Sequence, residues 1–589
     1  MTDKVGIAAE AAGEPFYKSG ELFGHPKGLY VLFLTEMWER FSYYGMRGLL
    51  MLYLTQHFFF SDEPASYIYG SYIALVYVLT FVGGPIADRY LGARKAVIYG
   101  AVLLIFGHFG MAFEGQQSTQ ELTWEGQTYE LEFKGRGEDD FERFIFINEQ
   151  PYAFSFESKN GVDAETTTYL VIEEGPPDFP SRLDSSEFEI TTIKNDFYVN
   201  IFYLSLAFII MGVGFLKANV STIVGSLYAP NDPRRDGGFT IFYMGINLGS
   251  FLASVTVGII GIKWGWNYGF GLAGIGMIFG LVVFILGRPL LEGRGAPPSL
   301  EVLKEKVIGL SREWWIYLFG LGGVVVCWQL MQNLDVVEYL MNGAVMFMLT
   351  VVIGYAIMKC EKVERDRLLV ALFLILCQIP FWALFEQAGS SVTLLTDRAV
   401  DRELFGIIIP TPVFQSLNAL FIFILAPFFA MMWVALSKRG LEPSTPFKFS
   451  LGVLQAGLGF LVLALGMKMA GVDSMTPMIW IVLLYLIHTT GELCLSPVGL
   501  SMVTKLSIPK IVGMMMGSWF LISGFANYIS GKIAAATSSE TVGGVVTNLA
   551  AARETYIDVY TNIGIVAAII AAVIFALTPF LKKHMHGVH

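Results

Sequence analysis

Residues 36–47 read EMWERFSYYGMR, from Glu36 to Arg47. They lie inside an otherwise apolar run, residues 29–58, long enough to cross ~30 Å of hydrocarbon as a helix. Glu36 stands three and four residues before Glu39 and Arg40, and Arg47 stands seven beyond Arg40. At those spacings the charges share one helix face, with Tyr43 and Tyr44 on the next turn. A salt-bridged packing seam is the plain structural alternative. Charge at membrane depth is costly, however, so this much of it points to a cavity where the groups pair with one another. The stripe therefore predicts a pathway through a membrane protein.

The rest of the chain agrees. It has 589 residues, a mean hydropathy of +0.57 and 15% charged residues. A soluble protein would carry about a quarter. Spans are predicted at 29–58, 67–91, 95–113, 197–228, 239–260, 267–291, 313–334, 337–359, 367–387, 411–437, 447–469, 477–505, 511–535 and 557–581, fourteen in all. The first run is too long for a signal peptide. Cys327, Cys360, Cys377 and Cys494 lie in or beside apolar segments and read as small buried hydrophobes, with no disulfide framework and no metal site.

Lys and Arg set the expected orientation. With the N-terminus inside, the inside segments hold about 24 basic residues and the short outside loops about 6, Lys263, Arg398 and Arg553 among them. The even helix count brings the C-terminus back inside. Residues 114–196 form an outside insert with 20 acidic and 6 basic residues, a net of −14. The whole chain is at −11, so the acidic balance belongs to the insert. TYELEF from Thr128, FERFIFI from Phe141, TYLVIEE from Thr168 and FEITTI from Phe188 read as strands of a small β domain. A flexible linker is the alternative.

Three cations fall at membrane depth, Arg40, Arg47 and Lys217, against four carboxylates, Glu36, Glu39, Glu386 and Glu492. One carboxylate is left without a fixed partner, and such a group can hold a proton. That is a physical route to proton coupling. GGPIADRYLG, from Gly83, sits at the inside end of the second span, where Asp88 and Arg89 can latch helix ends; an ordinary basic loop would explain Arg89 alone. Asn219, Asn247 and Asn418 lie in apolar helices, and a lone buried Asn serves more often as helix glue than as a ligand. Trp382 and Trp519 fit a core or an interface belt equally well. No nucleophile elbow, phosphate cradle or metal-spaced cluster is present in the sequence, so an enzyme is not expected and no catalytic residue is assigned.

At this point the chain resembles a family, the proton-dependent oligopeptide transporters of the major facilitator superfamily. The likeness covers nearly everything outside residues 114–196. Its most specific part is ExxER, here Glu36, Glu39 and Arg40, followed by FSYYGMR. The loop motif GGPIADRYLGARK, GFLKANVS around Lys217, FYMGINLGS from Phe242, FWALFEQAGSS from Phe381 and GELCLSPVGLS from Gly491 follow in the family's order.

The small β-rich insert is read from the residues alone and is not carried over from the family. The resemblance implies an all-α polytopic fold, twelve core helices in two six-helix bundles around a central cavity with two extra helices between the halves. It divides the chain into an N-terminal tail (1–28), a first bundle (29–291, interrupted by 114–196), a linker with two extra helices (292–366) and a second bundle (367–589). The function it implies is import of di- and tripeptides with protons across the cytoplasmic membrane. In the roles carried over, Arg40 and Lys217 face the peptide carboxylate and Glu492 its amino group. Asn247 and Asn418 meet the backbone ends. Tyr43, Tyr44, Tyr77, Trp382, Trp519 and Ser523 line the site. Glu36, Glu39 and Glu386 handle protons, while Arg47, with Glu386, and Asp88 and Arg89 act as gates. Protons are the coupling ion and no cofactor or metal is expected. The expected partners are small peptides and the bilayer, with no nucleic acid, and the expected working unit is a monomer.

Two positions depart from the family pattern. Gly70 stands where some members carry a histidine, which puts proton coupling on carboxylates alone. Ala218 replaces the proline of Lys-Pro-Asn. A carrier of another solute, such as nitrate or an amino-acid-like molecule, and a non-transporting peptide receptor acting through the insert are the competing readings.

Overall fold

A computed structural model describes residues 18–135, 141–160, 166–229, 232–471 and 474–588. Fourteen long helices are found among them: α1 (Lys27–Gln56), α2 (Asp62–Ile86), α3 (Ala93–Ala112), α4 (Asp196–Ser226), α5 (Arg235–Trp264), α6 (Trp266–Gly287), α7 (Arg312–Gln332), α8 (Leu334–Lys359), α9 (Lys362–Phe385), α10 (Ser416–Lys438), α11 (Thr445–Ala470), α12 (Ile479–Leu506), α13 (Val512–Ala535) and α14 (Leu549–His584). Thirteen are long and apolar enough to cross a membrane; α1, with its charged stripe, is the exception. Their outward faces carry large apolar side chains, Leu286, Phe347 and Ile569 among them. That surface suits lipid and not water.

Boundaries shift from the expected ones where polar residues cap or continue a helix. Asp62 and Glu63 lie in the first turn of α2, where negative charge suits the helix dipole, so the helix starts before its apolar run. In α9, Glu361 and Glu364 form a capping box that fixes the start at Lys362, five residues inside the expected linker. After α9 the chain does not pass into an extended loop. A 3₁₀ turn, Glu386–Gly389, leads into a further helix, Ser391–Ala399, so the same rod continues to residue 399. Arg398, expected in a short outside loop, is instead part of that helix and buried.

Two large apolar clusters mark two bundles. One is built on α1–α6 with the facing residues of α7 and the start of α8. The other is built on α9–α14 with the rest of α8. The bundles meet where small residues permit backbone contact. Gly70 of α2 lies against Gly531 of α13, whose Cα would stand 2.8 Å from any β-carbon at residue 70. Gly258 of α5 lies against Pro412.

Between α3 and α4 the chain forms one seven-stranded antiparallel sheet: β1 (Thr119–Trp124), β2 (Gln127–Lys134), β3 (Glu142–Ile147), β4 (Gln150–Asn160), β5 (Thr166–Ile172), β6 (Arg182–Asp184) and β7 (Phe188–Ile193). The strand order is β6-β5-β4-β3-β2-β1-β7. The four strands expected from alternation are present; β1, β4 and β6 add to them. The two edge strands, β6 and β7, are joined by three residues, which reach at most ~14 Å. A flat seven-stranded sheet would hold its edges ~29 Å apart, so this one is curled toward a closed barrel. Leu122, Leu131, Ile145, Leu170 and Leu183 fill its inside.

Candidate functional site

The charged face of α1 turns inward between the bundles. Arg40 Nε donates to Glu36 Oε1 at 3.1 Å, and Arg40 Nη2 donates to Glu39 Oε1 at 3.0 Å. All three side chains are buried. Two carboxylates thus share one guanidinium, and Glu36 Oε2 has no hydrogen-bond partner among the described residues. Tyr43 carries the Arg40 guanidinium over its ring, 5.3 Å from the centroid.

Two turns on, Arg47 crosses to the other bundle and pairs with Glu386 in the 3₁₀ turn after α9. Its Nε donates to Tyr69 Oη at 2.7 Å, and its guanidinium carbon lies over the Tyr44 and Tyr69 rings, 5.8 and 5.9 Å from their centroids. Sequence reasoning misses Tyr69, because a tyrosine in an apolar helix carries no sign of a partner 22 residues away.

Lys217 of α4 is half-buried, with Nζ 4.4 Å from the centroid of Tyr77. Arg40, Glu39, Glu36 and Glu386 all contribute to the field around it. No carboxylate among the described residues is within ion-pair distance of it. On the opposite bundle, Glu492 of α12 is buried and accepts from Asn418 Nδ2 at 3.0 Å; Asn418 also reaches Thr489 Oγ1 at 3.1 Å. Glu492 likewise has no cationic partner among the described residues. The four-against-three tally therefore resolves into Arg40 with two carboxylates, Arg47 with one, and an isolated cation and an isolated carboxylate on different bundles.

Tyr243 of α5 borders this space. It lies in the field of Glu492 and Tyr44, yet it is 44% exposed. The space between the bundles is therefore open beside Tyr243. At the insert end the bundles are shut by Arg47–Glu386, by Gly258 on Pro412, and by a buried pair between Asp62 and Arg398.

The remaining expected residues fall into two groups. Tyr44, Tyr77 and Trp382 are half-buried around the same space, and the Trp382 indole N–H is without a partner among the described residues. Asn247 donates to Tyr243 O of its own helix at 3.1 Å, leaving its amide oxygen uncommitted there. Asn219 likewise donates within α4, to Phe215 O. Trp519 packs in the second bundle's core and is 5% exposed. Ser523 gives its hydroxyl to Gln378 Oε1 and Trp519 O. Both read as structural in this conformation. Asp88 and Arg89 lie in a π-helical turn after α2, exposed and with no ion pair among the described residues.

Gly70 and Ala218 acquire physical reasons. A side chain at residue 70 would collide with the Gly531 backbone, so the helix crossing excludes a histidine. With Ala218, α4 runs unbroken past Lys217. The four cysteines are free, and among the described residues no group of three His, Cys, Asp or Glu is arranged to hold a metal.

The chain is similar to known proteins along most of its length. The POT family model matches residues 94–549. The chain is 33% identical over 585 residues to the uncharacterised transporter YclF of Bacillus subtilis, covering 96% of each. It is 32% identical to the peptide transporter YePEPT of Yersinia enterocolitica, covering 87% of this chain and 88% of that one. A crystal structure of a peptide transporter POT in complex with sulfate superposes with a TM-score of 0.72 at 31% identity over 100% of both chains.

Proposed function

The chain belongs to the POT family, an integral membrane transport family, and from that premise we propose that it moves di- and tripeptides together with protons. The observation that carries the substrate reading is the isolated pair, Lys217 on one bundle and Glu492 on the other. A small peptide is a zwitterion with a carboxylate at one end and an ammonium at the other. Bound between those residues, it would pair with both charges at once, and the pairing would draw the bundles together. Half-buried aromatics between them tolerate variable side chains. Occupancy then favours closure at the terminal end, after which the insert end can open, as alternating access requires.

The proton reading rests on Glu36, Glu39 and Arg40. With two carboxylates on one guanidinium, one carboxylate can take up a proton without leaving the arginine unpaired. Glu386 is the third acceptor, since protonating it weakens its hold on Arg47 and so loosens the closed end. The charge bias of the loops puts both termini in the cytoplasm and the insert outside, so coupled movement is import. No cofactor enters this cycle, and the monomer contains every group it uses.

Protein reconstituted in liposomes should take up dialanine when an inward proton gradient is imposed. Uptake that is unchanged on collapsing the gradient would remove proton coupling. Glu39→Gln should lose gradient-driven uptake and keep peptide exchange; driven uptake at the parent rate would show that Glu39 is not the coupling site.

A further inference from the structure

The insert is covalently part of the first bundle, because its stems are the ends of α3 and α4. Its hydrophobic interior nevertheless includes a residue of the second bundle. Val542, in the hairpin Thr541–Val546 that joins α13 to α14, is 2% exposed and clusters with Leu122, Leu131, Ile145 and Leu170. The next residue, Gly543, donates its backbone N–H to Gln120 Oε1 of β1 at 2.8 Å. Gly543 has φ +62°, and the Phe133 ring occupies the place where a β-carbon would stand, so the hairpin backbone lies against that ring. Phe133 packs edge-on to Phe59 of the α1–α2 loop, with centroids 5.2 Å apart. The insert therefore grips one loop of its own bundle and one of the other.

We propose that the insert is a clasp, which holds the insert end of the transport path shut by seating Val542 in its core. This rests on the alternating-access reading above, since a clasp matters only if that end opens. The contact is narrow. A cavity of about 430 Å³ lined by Phe156, Thr168, Phe188 and Thr547 lies on one side of it. A cavity of about 1380 Å³ lined by Arg143, Asp397, Arg402 and Ile407 lies on the other. Among the described residues the grip consists of Val542, the Gly543–Gln120 hydrogen bond and the Phe133 ring against the Gly543 backbone, with open space beside them. A contact of that kind can form and release in each cycle, where a broad dry interface could not. It stands on the same side as Arg47–Glu386 and Asp62–Arg398, and all three must part together for the path to open there. The clasp adds to the bias toward the conformation open at the terminal end, and opening at the insert end has to overcome it.

A reporter cysteine introduced by Gly48→Cys tests this. Gly48 is buried at the seam, and a β-carbon there would meet Gln415 of the other bundle at 3.7 Å, an ordinary contact. In full-length Gly48→Cys protein in liposomes, a membrane-impermeant maleimide applied from the insert side should label slowly. Protein without Gly48→Cys gives the background from the native cysteines. Val542→Asp should raise the labelling rate at least threefold, Gln120→Ala by a smaller factor, and Val542→Ile not at all. Apparent KM for peptide offered on the insert side should fall in the same proportion as labelling rises. Should Val542→Asp fail to fold, Val542→Ala and Gln120→Ala decide. Parent-like labelling in the folded loosening variants overturns the clasp and leaves alternating access standing. Absence of labelling above background in every Gly48→Cys variant, with or without peptide, overturns the alternating-access reading itself.

Discussion

Arg398 donates to both carboxylate oxygens of Asp62, at 2.7 and 2.8 Å, and so ties the start of α2 in one bundle to the rod that continues α9 in the other. The side chains are 3% and 1% exposed, and Ser539 N also donates to Asp62 Oδ2 at 3.1 Å. Removing one member of a buried pair leaves a stranded charge and costs about 3–5 kcal/mol, whereas replacing both with apolar groups is often near neutral. Asp62→Asn and Arg398→Met should each lower the melting temperature of the purified protein markedly. The double variant Asp62→Leu/Arg398→Met should recover most of that loss. Additive losses in a thermal-shift series would show that the two residues act independently.

Glu492 has an amide partner but no cationic one among the described residues, so a peptide ammonium is the group that would complete it. Charge-assisted hydrogen bonds contribute about 1.5–3 kcal/mol. Glu492→Gln should therefore raise the KM for dialanine by about tenfold to a hundredfold. The same substitution should leave binding of N-acetylated dialanine little changed, because that ligand has no ammonium to lose. A competition assay with both ligands separates the outcomes. Equal loss for the two would reassign Glu492 to packing or to proton handling, and it would also favour a solute without an amino group.

Gly70 and Gly531 place two backbones in contact where the bundles meet. Overpacking such a crossing costs typically about 1–3 kcal/mol, more where backbone and not a side chain must yield. Gly70→Ala should lower the melting temperature by several degrees and slow uptake. Gly70→His should do so more severely and should not add a histidine step to coupling. A Gly70→His protein with parent stability would mean that the helices can separate there at little cost.

These particulars show what a sequence exposes. The stripe in α1 is legible because charge in an apolar run has few explanations, and the helices follow from length and hydropathy. Four strands of the insert are legible from period-two alternation. In β1, TQELTW, only Gln120 and Leu122 are buried, so a reading by hydrophobicity passes over it. Arg398 reads as a loop residue because Gly389, Ser390 and Ser391 look like a helix stop. In the fold the chain tightens to 3₁₀, leaves helical geometry at Ser390 alone and resumes as a helix at Ser391. Tyr69 and Val542 depend on partners 22 and some 400 residues away, and no local pattern encodes such pairs. Sequence spacing places residues on a face; it does not say what the facing element brings.

The last departure gives a test of how α4 presents Lys217. Helix geometry sends the Ala218 N–H to the Gly214 carbonyl, which is the same carbonyl that Gly83 of α2 packs against. Ala218→Pro deletes that donor and pushes its ring toward the preceding turn, at a cost of about 3 kcal/mol in an ordinary helix interior. The freed carbonyl turns outward and α4 bends one residue from Lys217. The variant should lose thermal stability, and its KM for dialanine should move by severalfold while KM for a peptide amide, which lacks the terminal carboxylate, moves less. If both ligands shift equally, the bend acts through the α2–α4 contact and not through the aim of Lys217. If neither shifts, the site tolerates either helix shape, and the straight α4 has no bearing on substrate binding.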